Sequence, residues 1–302
     1  MTSTFSGIRS FMKTDIGQAG DKPISIVGIN YDLGTSNRSG ARLGPAAVRD
    51  ASAMLCDGCN PYTEMSYNKI LDTVCDIGDL ELYGVSTLSM YEKQMSTAVD
   101  KSKLISIGGD HTITYPLLRA HYEKYGQLSL IHFDAHVDAW GGGKTPNHGN
   151  FLRLAIEDGY VDPKEIVQIG LRSSAPKSDK DWLTNQGVKQ FSSIDVHYMN
   201  NQVNGEHYNR IMRKVDAFTK PTYFTFDIDC LDASQAPGTG TPEVGGLFTW
   251  QIMSMMKQLY LNEKKIIGGD VVEVCPAYDV SQITSLAAAT IIWNMIALVD
   301  IK

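Results

Sequence analysis

Short, nearly continuous apolar runs recur along the chain, and longer amphipathic stretches separate them. Runs of this kind are typical of strands that are buried on both faces, as in a parallel sheet covered by helices on each side. The predicted strands are 24–29, 73–77, 104–107, 128–133, 165–171, 222–228 and 266–274. The predicted helices begin with a short one at Pro45 and continue with 86–99, 114–125, 205–218, 249–260 and 281–299. We therefore expect an α/β fold.

The absence of linkers, repeats or low-complexity tracts predicts one domain over residues 1–302. We expect a three-layer α/β/α arrangement around a mainly parallel sheet of about eight strands. In such sheets the ligand site lies at the carboxyl ends of the strands. The polar residues that follow the predicted strands are therefore the first candidates for a functional site.

Composition narrows the class of protein. The 302 residues are 43% hydrophobic, enough for a sizeable core, and the net charge is −7. That charge argues against a nucleic-acid partner or an anionic membrane surface and is compatible with a small cationic substrate. No apolar run suggests a membrane span, the N-terminus lacks a signal-like apolar region, and the five cysteines are scattered. We expect a cytoplasmic protein with reduced thiols.

Two suggestive patterns carry no function in our interpretation. Cys56 and Cys59 have the CxxC spacing of a zinc or redox site, but no second pair accompanies them. The Gly/Asn/Ser-rich loop 30–40 follows a predicted strand, but it does not match the GxxxxGK[ST] pattern of a phosphate-binding loop.

Three predicted strands end in histidine and aspartate, and these are the candidate metal ligands: His111, Asp134, His136, Asp138, Asp227 and Asp229. Asp134, His136 and Asp138 are two residues apart, and this spacing puts all three side chains on one face of an extended chain. Any one of the three sets is compatible with a solvated polar strand edge or a helix entry. Three such sets at one edge of a parallel sheet indicate a shared site.

Crowded carboxylates resist ionisation unless a cation lies between them. Two histidines and four aspartates supply ligands for two ions about 3.5–4 Å apart. A water between two such ions would have its pKa lowered towards about 7 and would act as a nucleophile. Carboxylates with imidazole and no thiolate favour Mn²⁺, and Ni²⁺, cobalt and iron stay open. The predicted cofactor is therefore a pair of Mn²⁺ ions, with Ni²⁺ as the alternative.

Neighbouring polar residues are expected to support the ligands or the local fold. Asp110 is either an orienting partner for His111 or a helix N-cap. We expect Asp232 in a turn and His132 in the core or in a position that orients a ligand. The other histidines, His121, His197 and His207, are interpreted as ordinary helix or loop residues.

The motifs Gly-Gly-Asp-His at 108–111, Asp-Ala-His-Val-Asp at 134–138 and Asp-Ile-Asp-Cys-Leu-Asp at 227–232 resemble the signatures of the ureohydrolase family of arginases and agmatinases. Two further segments, 236–243 and 269–276, lie where that family pattern expects them. The resemblance extends from about Ser6 to the C-terminus and is closest to the agmatinase and guanidinobutyrase branch. It implies an arginase-like fold and hydrolysis of a guanidino compound to urea and an amine.

The resemblance also implies residue roles. One metal would be held by His111, Asp134, Asp138 and Asp227, and the other by Asp134, His136, Asp227 and Asp229, with hydroxide bridging the ions. Asp138 would also accept a hydrogen bond from that hydroxide. Glu273 would pair with the substrate guanidinium, and His148 would carry a proton to the leaving amine; without the resemblance, His148 would be a surface-loop histidine. Family members are commonly trimers or hexamers, so a homo-oligomer is implied.

The loop 139–147 departs from the family pattern. The branch leads us to expect threonine or serine after the last aspartate and a longer loop with tyrosine, whereas Ala139, Trp140 and three glycines follow here. Trp140 is a candidate substrate-binding residue that either narrows the pocket or stacks on a cation. Lys144 would favour a carboxylate tail if it faced inward, and otherwise is solvated. Agmatine, 4-guanidinobutyrate, 3-guanidinopropionate and free guanidine stay open as substrates, and so does a non-catalytic regulatory homologue.

Overall fold

A computed structural model describes residues 6–81, 88–200 and 206–300. The strands are β1 Asp15–Ile16, β2 Ile24–Gly28, β3 Val74–Asp79, β4 Lys103–Ile107, β5 Leu128–Phe133, β6 Val161–Leu171, β7 Lys189–Ser192, β8 Thr222–Asp227 and β9 Ile266–Val272. The helices are α1 Gly44–Ser52, α2 Tyr67–Thr73, α3 Leu88–Lys101, α4 Thr114–Tyr125, α5 Phe151–Glu157, α6 Lys177–Gln186, α7 Ser193–Asn200, α8 Glu206–Asp216, α9 Thr249–Leu261 and α10 Ile283–Asp300. Predicted helix starts at Ser86 and Gly205 lie outside the described residues.

The nine strands form one sheet in the order β1-β3-β2-β4-β9-β8-β5-β6-β7, and every pair in it is parallel. The α/β fold with a parallel sheet is confirmed, with nine strands where about eight were expected. The two edge strands β1 and β7 were missed because they are short and carry few apolar residues. Two hydrophobic clusters, which include opposite faces of β2 and β5, fill the layers between sheet and helices.

Strand β6 begins earlier than its apolar pattern indicates. Val161 pairs with Leu128, and the register then shifts before Leu130 pairs with Ile166. The polar residues between these two points interrupt the hydrophobic run, so the pattern alone starts the strand only at Glu165. Strand pairing, which depends on backbone groups, continues where side-chain hydrophobicity does not.

Helix α10 corrects the expectation that no segment is long and apolar enough to cross a membrane. It spans 18 residues with a mean hydropathy of 1.6, and 78% of that window is buried inside the protein. It packs against α1, α9 and β9. Its apolar character is therefore that of a core helix, which is hydrophobic on all sides because neighbours surround it.

The centre of the sheet places four strand ends side by side. Strands β4, β9, β8 and β5 are consecutive neighbours, and all run in the same direction. The segments that leave their carboxyl ends carry the candidate metal ligands and Glu273. The chain order of these motifs differs from their spatial order, and the crossover connections bring them together.

Candidate metal centre and active site

His111 lies among three carboxylates. Its Nδ1 atom is 3.1 Å from Asp134 Oδ2, 3.1 Å from Asp138 Oδ2 and 3.2 Å from Asp227 Oδ2. All four side chains are buried. None of these contacts has hydrogen-bonding geometry, so Nδ1 has no hydrogen-bond partner among the described residues. Four ligand atoms thus surround one small space.

The opposite edge of the His111 ring identifies which nitrogen is available for a metal. Nε2 lies 2.9 Å from Thr225 Oγ1, and that hydroxyl donates to Asp270 Oδ1 at 2.6 Å. Tyr223 and Thr114 also donate hydroxyl protons to Asp270. The Thr225 oxygen therefore accepts from Nε2–H, and Nδ1 is the nitrogen left to face the carboxylates. The donor set fits a divalent cation.

A second set of ligand atoms adjoins the first. His136 Nδ1 lies 3.1 Å from Asp229 Oδ2 and 3.3 Å from Asp134 Oδ1. These three residues have metal-ligand spacing, and Asp134 also belongs to the first set. Asp227 approaches the first set through Oδ2, while its Oδ1 accepts the backbone N–H of Asp229 at 2.8 Å. The structure thus shows two adjoining groups that share Asp134.

The charges of the cluster call for cations. Burial lowers the pKa of His111, but the close approach of the Asp134, Asp138 and Asp227 carboxylates outweighs burial and raises that pKa well above its ordinary value. Burial and the Asp134 charge raise the pKa of Asp138 to about 7. Burial, followed by the charge of Asp229, raises the pKa of Asp227 well above its usual range. A proton or a metal cation is needed at this position to offset the carboxylates.

His132 orients Asp134 and does not compete as a ligand. Its Nδ1 atom accepts from Gln168 Nε2 at 3.2 Å, so Nε2 carries the hydrogen and donates to Asp134 Oδ2 at 2.8 Å. The same amide of Gln168 donates to the carbonyl of Val137. This geometry matches the orienting role expected for His132, although its position also satisfies ligand spacing with His111, Asp134 and Asp138.

Two of the candidate residues have left-handed backbone conformations. Asp138 has φ 46° and Glu273 has φ 65°. Such a conformation costs a residue with a Cβ about 1–3 kcal/mol and persists only where the surroundings hold it. The Glu273 N–H donates to the Gly109 carbonyl at 2.8 Å, and the Asp138 carbonyl accepts the Leu152 N–H at 3.2 Å. Both strained positions thus direct a carboxylate into the site.

His148 covers Glu273. The ring Nδ1 lies 3.1 Å from Glu273 Oε1, an oxygen that also accepts the backbone N–H of His111 at 2.9 Å. Burial lowers the pKa of His148, but the hydrogen bond and charge of Glu273 outweigh it and raise the pKa to about 9. Sequence and structure agree that these two residues adjoin the ligand cluster.

A cavity of about 200 Å³ opens beside the cluster. Its lining residues come from the carboxyl ends of four strands, β2, β5, β6 and β8, and from the loops that follow them: Ser36, His136, Asp138, Trp140, His148, Gly149, Ser173, Ser174, Asp227 and Thr241. His148 lines the cavity and Glu273 lies behind it, 1% exposed. His148 therefore separates Glu273 from the open part of the cavity.

Trp140 lies at the rim of the cavity and is 45% exposed. Its backbone N–H donates to the Gly149 carbonyl at 2.9 Å, and its ring lies against Gly149, where a Cβ would be 3.1 Å from Trp140 Cε3. Ala139 is buried and Lys144 is exposed. Of the two possibilities for Lys144, the solvated position is the one observed.

A further carboxylate lies next to two residues of the cavity lining, Ser173 and His136. Glu243 Oε1 accepts from Ser173 Oγ at 2.7 Å and lies 3.9 Å from His136 Nε2. Its side chain is 36% exposed. Among residues of the described ranges, the cavity lining includes no lysine or arginine. The entrance is therefore suited to a cation.

The remaining candidates occupy ordinary positions. Asp110 is an N-cap that accepts from the Thr112 N–H at 2.9 Å, and its other oxygen accepts from the Gly34 N–H. Asp232 holds a turn through the N–H groups of Gly245 and Gly246. His121 and His197 bond to backbone carbonyls, and His207 lies in α8.

Sequence reasoning missed several residues that complete the site: Ser36, Gln168, Thr225, Glu243 and Asp270. Asp270 had a detectable signal, since a charge inside the apolar run of β9 needs buried partners. Thr225 had none, because its importance depends on its pairing opposite Asp270 across β8 and β9. The sequence signal for Ser36 was limited to its position in the loop after β2, a strand whose carboxyl end lies at the same edge of the sheet.

Comparison with known proteins resolves the family. The sequence profile of the arginase family matches residues 22–297. The chain belongs to the arginase family. It is accordingly a hydrolase that acts on C–N bonds of amidines. The agmatinase of Chromobacterium violaceum is 38% identical over 314 aligned residues, which cover 99% of this chain and 91% of the relative.

Solved structures of this family support the same assignment. A crystal structure described as a hypothetical agmatinase from Burkholderia thailandensis has a TM-score of 0.86 at 38% identity, covering 98% of this chain and 92% of that one. The proclavaminate amidino hydrolase of Streptomyces clavuligerus has a TM-score of 0.87 at 31% identity, covering 99% of both chains. The arginase-like fold predicted from the motifs is thus confirmed.

Proposed function

We propose that this arginase-family hydrolase converts agmatine, or a closely related guanidino compound with a cationic tail, to urea and an amine. The observation that carries the proposal is the position of His111 Nδ1, within 3.2 Å of three buried carboxylate oxygens beside an open cavity. A buried cluster of this kind is far better suited to binding cations than to stabilising the fold.

The cofactor in this proposal is a pair of divalent cations, with Mn²⁺ preferred and Ni²⁺ as the alternative. The residues that would hold them are His111, Asp134, Asp138 and Asp227 for one cation, and Asp134, His136, Asp227 and Asp229 for the other. Bound there, the cations would supply a nucleophile from water at neutral pH and polarise the substrate.

The protein's own residues would bind and orient the substrate. The Glu273 carboxylate pairs with the planar guanidinium, whose forked N–H donors match two carboxylate oxygens. Asp138, whose carboxylate lines the cavity, accepts a hydrogen bond from the attacking group. His148 lines the cavity next to Glu273 and gives a proton to the departing amine.

The cavity entrance selects the substrate tail. An ammonium group would meet the Glu243 carboxylate and the exposed face of Trp140, both of which attract cations. A carboxylate tail would meet Glu243, and the described lining residues include no lysine or arginine to offset that repulsion. Agmatine is therefore preferred over 4-guanidinobutyrate and 3-guanidinopropionate. We also propose a cytoplasmic homo-oligomer, a trimer or hexamer.

A urea-release assay tests the proposal. Purified protein loaded with Mn²⁺ or Ni²⁺ is given agmatine, 4-guanidinobutyrate, 3-guanidinopropionate, arginine and free guanidine. We expect the highest kcat/KM with agmatine, and Glu243→Gln to lower that value while improving the ratio for the two guanidino acids. Urea from none of these compounds would favour the regulatory homologue, and a preference for a guanidino acid would refute the assigned tail specificity.

A further inference from the structure

The loop 29–40, which follows β2, brings a serine onto the exposed edge of His148. Ser36 Oγ lies 2.7 Å from His148 Nε2, and the Ser36 backbone N–H donates to the same nitrogen at 3.0 Å. His148 Nδ1 lies 3.1 Å from Glu273 Oε1. The imidazole is therefore held between a buried carboxylate on one edge and a solvent-exposed hydroxyl on the other.

The loop is anchored at several points, so this contact is a built feature of the site. The Gly34 N–H donates to Asp110 Oδ2 at 2.8 Å, and the Gly34 carbonyl accepts the His148 N–H at 3.4 Å. The Gly40 N–H donates to Asp32 Oδ2 at 2.9 Å. These bonds lie on both sides of Ser36 and hold its hydroxyl close to the ring.

The backbone N–H and the hydroxyl of Ser36 allow different protonation states of His148. The backbone N–H can only donate, so it favours an unprotonated Nε2 and a hydrogen on Nδ1 directed at Glu273. The hydroxyl can donate or accept, so it can give a proton to Nε2 or take one back. The Glu273 carboxylate favours the doubly protonated, cationic form of the His148 ring, whereas the Ser36 backbone N–H disfavours a proton on Nε2. Both protonation states are thus within reach.

We propose that Ser36 is a positioning residue that connects His148 to bulk water as a proton relay. The inference rests on the proposed function, because it assumes that His148 gives a proton to the departing amine. When a guanidinium occupies Glu273, the Nδ1–H edge of His148 is freed to face the substrate, and the Nε2 edge stays with Ser36.

Protons balance along this path. The departing nitrogen forms an N–H bond as the His148 Nδ1–H bond breaks. His148 Nε2 gains the proton of the Ser36 hydroxyl, and Ser36 Oγ gains a proton from water on its exposed side. One proton moves from solvent to the amine, the serine is regenerated, and the imidazole is left as its Nε2–H tautomer. The ring returns to the Nδ1–H tautomer when Nδ1 takes a proton from water and Nε2 gives one back through Ser36, so no oxidant or reductant is required.

Ser36→Ala tests the relay because it removes the hydroxyl and keeps the backbone N–H that holds the ring. In the Mn²⁺-loaded enzyme we expect kcat for agmatine to fall about 10-fold with KM little changed, a part of what a positioned proton donor contributes. Small imidazole buffers should restore kcat in proportion to their concentration. Ser36→Thr, which keeps a hydroxyl, should retain activity without added buffer.

Matched controls separate a relay from a structural role. Ser39→Ala removes another exposed hydroxyl of the same loop and should leave kcat unchanged. In metal-free protein, water-saturation transfer by NMR should show slower exchange of the His148 ring N–H in Ser36→Ala than in wild type, a readout that needs no turnover.

Every outcome of these experiments either supports or overturns the relay. An unchanged kcat and exchange rate in Ser36→Ala, or a fall in kcat that no buffer restores, would overturn the relay. Wild-type protein that releases no urea from any guanidino compound would refute the proposed function instead. In that event, the exchange rate of the His148 ring N–H in the metal-free variants still supports or overturns the contact between Ser36 and the proton on His148.

Discussion

At the scale of single residues, the metal site depends on ligand atoms whose orientation is fixed by a hydrogen bond on the other side of the same side chain. His111 Nε2 is occupied by Thr225, so Nδ1 must face Asp134, Asp138 and Asp227. Carboxylates in such surroundings need a cation to remain ionised. Substitutions that change one of these atoms while preserving side-chain shape therefore test metal binding separately from folding.

Asp229→Asn is the sharpest of these substitutions. The amide keeps the shape of the side chain but removes the charge that faces His136 Nδ1 at 3.1 Å. We expect urea release to fall by at least about 100-fold, as when a group that acts on the transition state is lost, with an unchanged circular dichroism spectrum. Asp181→Asn, in an exposed helical ion pair, is the control. Activity close to that of wild type would remove Asp229 from the ligand set.

Thr225→Val tests the support of His111. The isosteric change deletes the hydroxyl that links His111 Nε2 to Asp270. Loss of such an orienting partner lowers metal affinity about 10- to 100-fold, and calorimetric titration with Mn²⁺ measures it. Thr222→Val, at the other end of β8, removes a hydroxyl that donates to the Lys220 carbonyl, away from the metal site, and should leave affinity unchanged. Equal affinities in both variants would contradict the role of Thr225.

At the scale of elements, the site is built where loops cross strand ends at close range. Gly109 follows β4 and leaves no room for a side chain, because a Cβ there would lie 1.7 Å from the Tyr31 carbonyl oxygen. The Tyr31 oxygen also accepts the Asp110 N–H at 2.7 Å. The glycine thus lets the segment after β2 pass over the end of β4 beside His111.

Gly109→Ala should therefore disturb both the fold and the metal site. We expect the free energy of unfolding to fall by about 3 kcal/mol, since neither backbone segment can move away without losing hydrogen bonds. Denaturant titration measures the loss. Gly143→Ala, where the added Cβ would have only an ordinary contact of 3.4 Å with Asn150 Nδ2, should be close to neutral. Equal stability of the two variants would disprove the close approach.

Glu165 ties β6 to its neighbours. Its carboxylate accepts from Ser129 Oγ, from Thr219 Oγ1 and from the N–H groups of Thr219 and Lys220. Burial raises the pKa of Glu165, but these hydrogen bonds outweigh it and lower the pKa to about 2. A carboxylate with a depressed pKa stabilises the fold above its unfolded-state value, and that contribution is lost as the pH falls through the folded-state value.

Glu165→Gln should accordingly lose stability in a pH-dependent way. At pH 7 we expect a loss of about 1–2 kcal/mol in the free energy of unfolding, after allowance for nearby solvent. The difference from wild type should shrink as the pH is lowered from about 4.5 to about 2. Urea unfolding at several pH values measures it. A difference that stays constant over this window would exclude an ionised Glu165 as its source.

At the scale of the whole molecule, one parallel sheet gathers the ends of β4, β9, β8 and β5. The carboxylates that meet there destabilise the fold unless their charge is neutralised. A cation that binds only the folded state then stabilises the entire domain by mass action. Metal loading and global stability should therefore be coupled.

Removal of metal tests this coupling. With Mn²⁺ at about 100 times its Kd, the stabilisation is about 2.7 kcal/mol, and chelation should lower Tm by about 5 °C or more. If residues 1–302 form one domain, scanning calorimetry should show a single transition with and without metal. Asp229→Asn should respond less to Mn²⁺ than wild type. Identical Tm values with Mn²⁺ and with chelator would contradict a metal site in the cluster.

The sequence by itself determined the fold class, the family and the identity of the charged cluster. Apolar runs indicated buried parallel strands, and the spacing of Asp134, His136 and Asp138 indicated a shared face, because both signals depend on local periodicity. The edge strands β1 and β7 could not be predicted in this way, because short strands form through backbone pairing with a neighbour and need little hydrophobic signal of their own.

Only the tertiary structure decided which uncharged and distant residues serve the site. The links from His111 to Thr225 and Asp270, and from His148 to Ser36, join residues far apart along the chain. Their significance arises from strand order, register and loop packing, which a one-dimensional pattern does not contain. Charge clusters are visible in a sequence because charged groups are rarely buried, whereas a hydroxyl gains a function only from the atom that faces it.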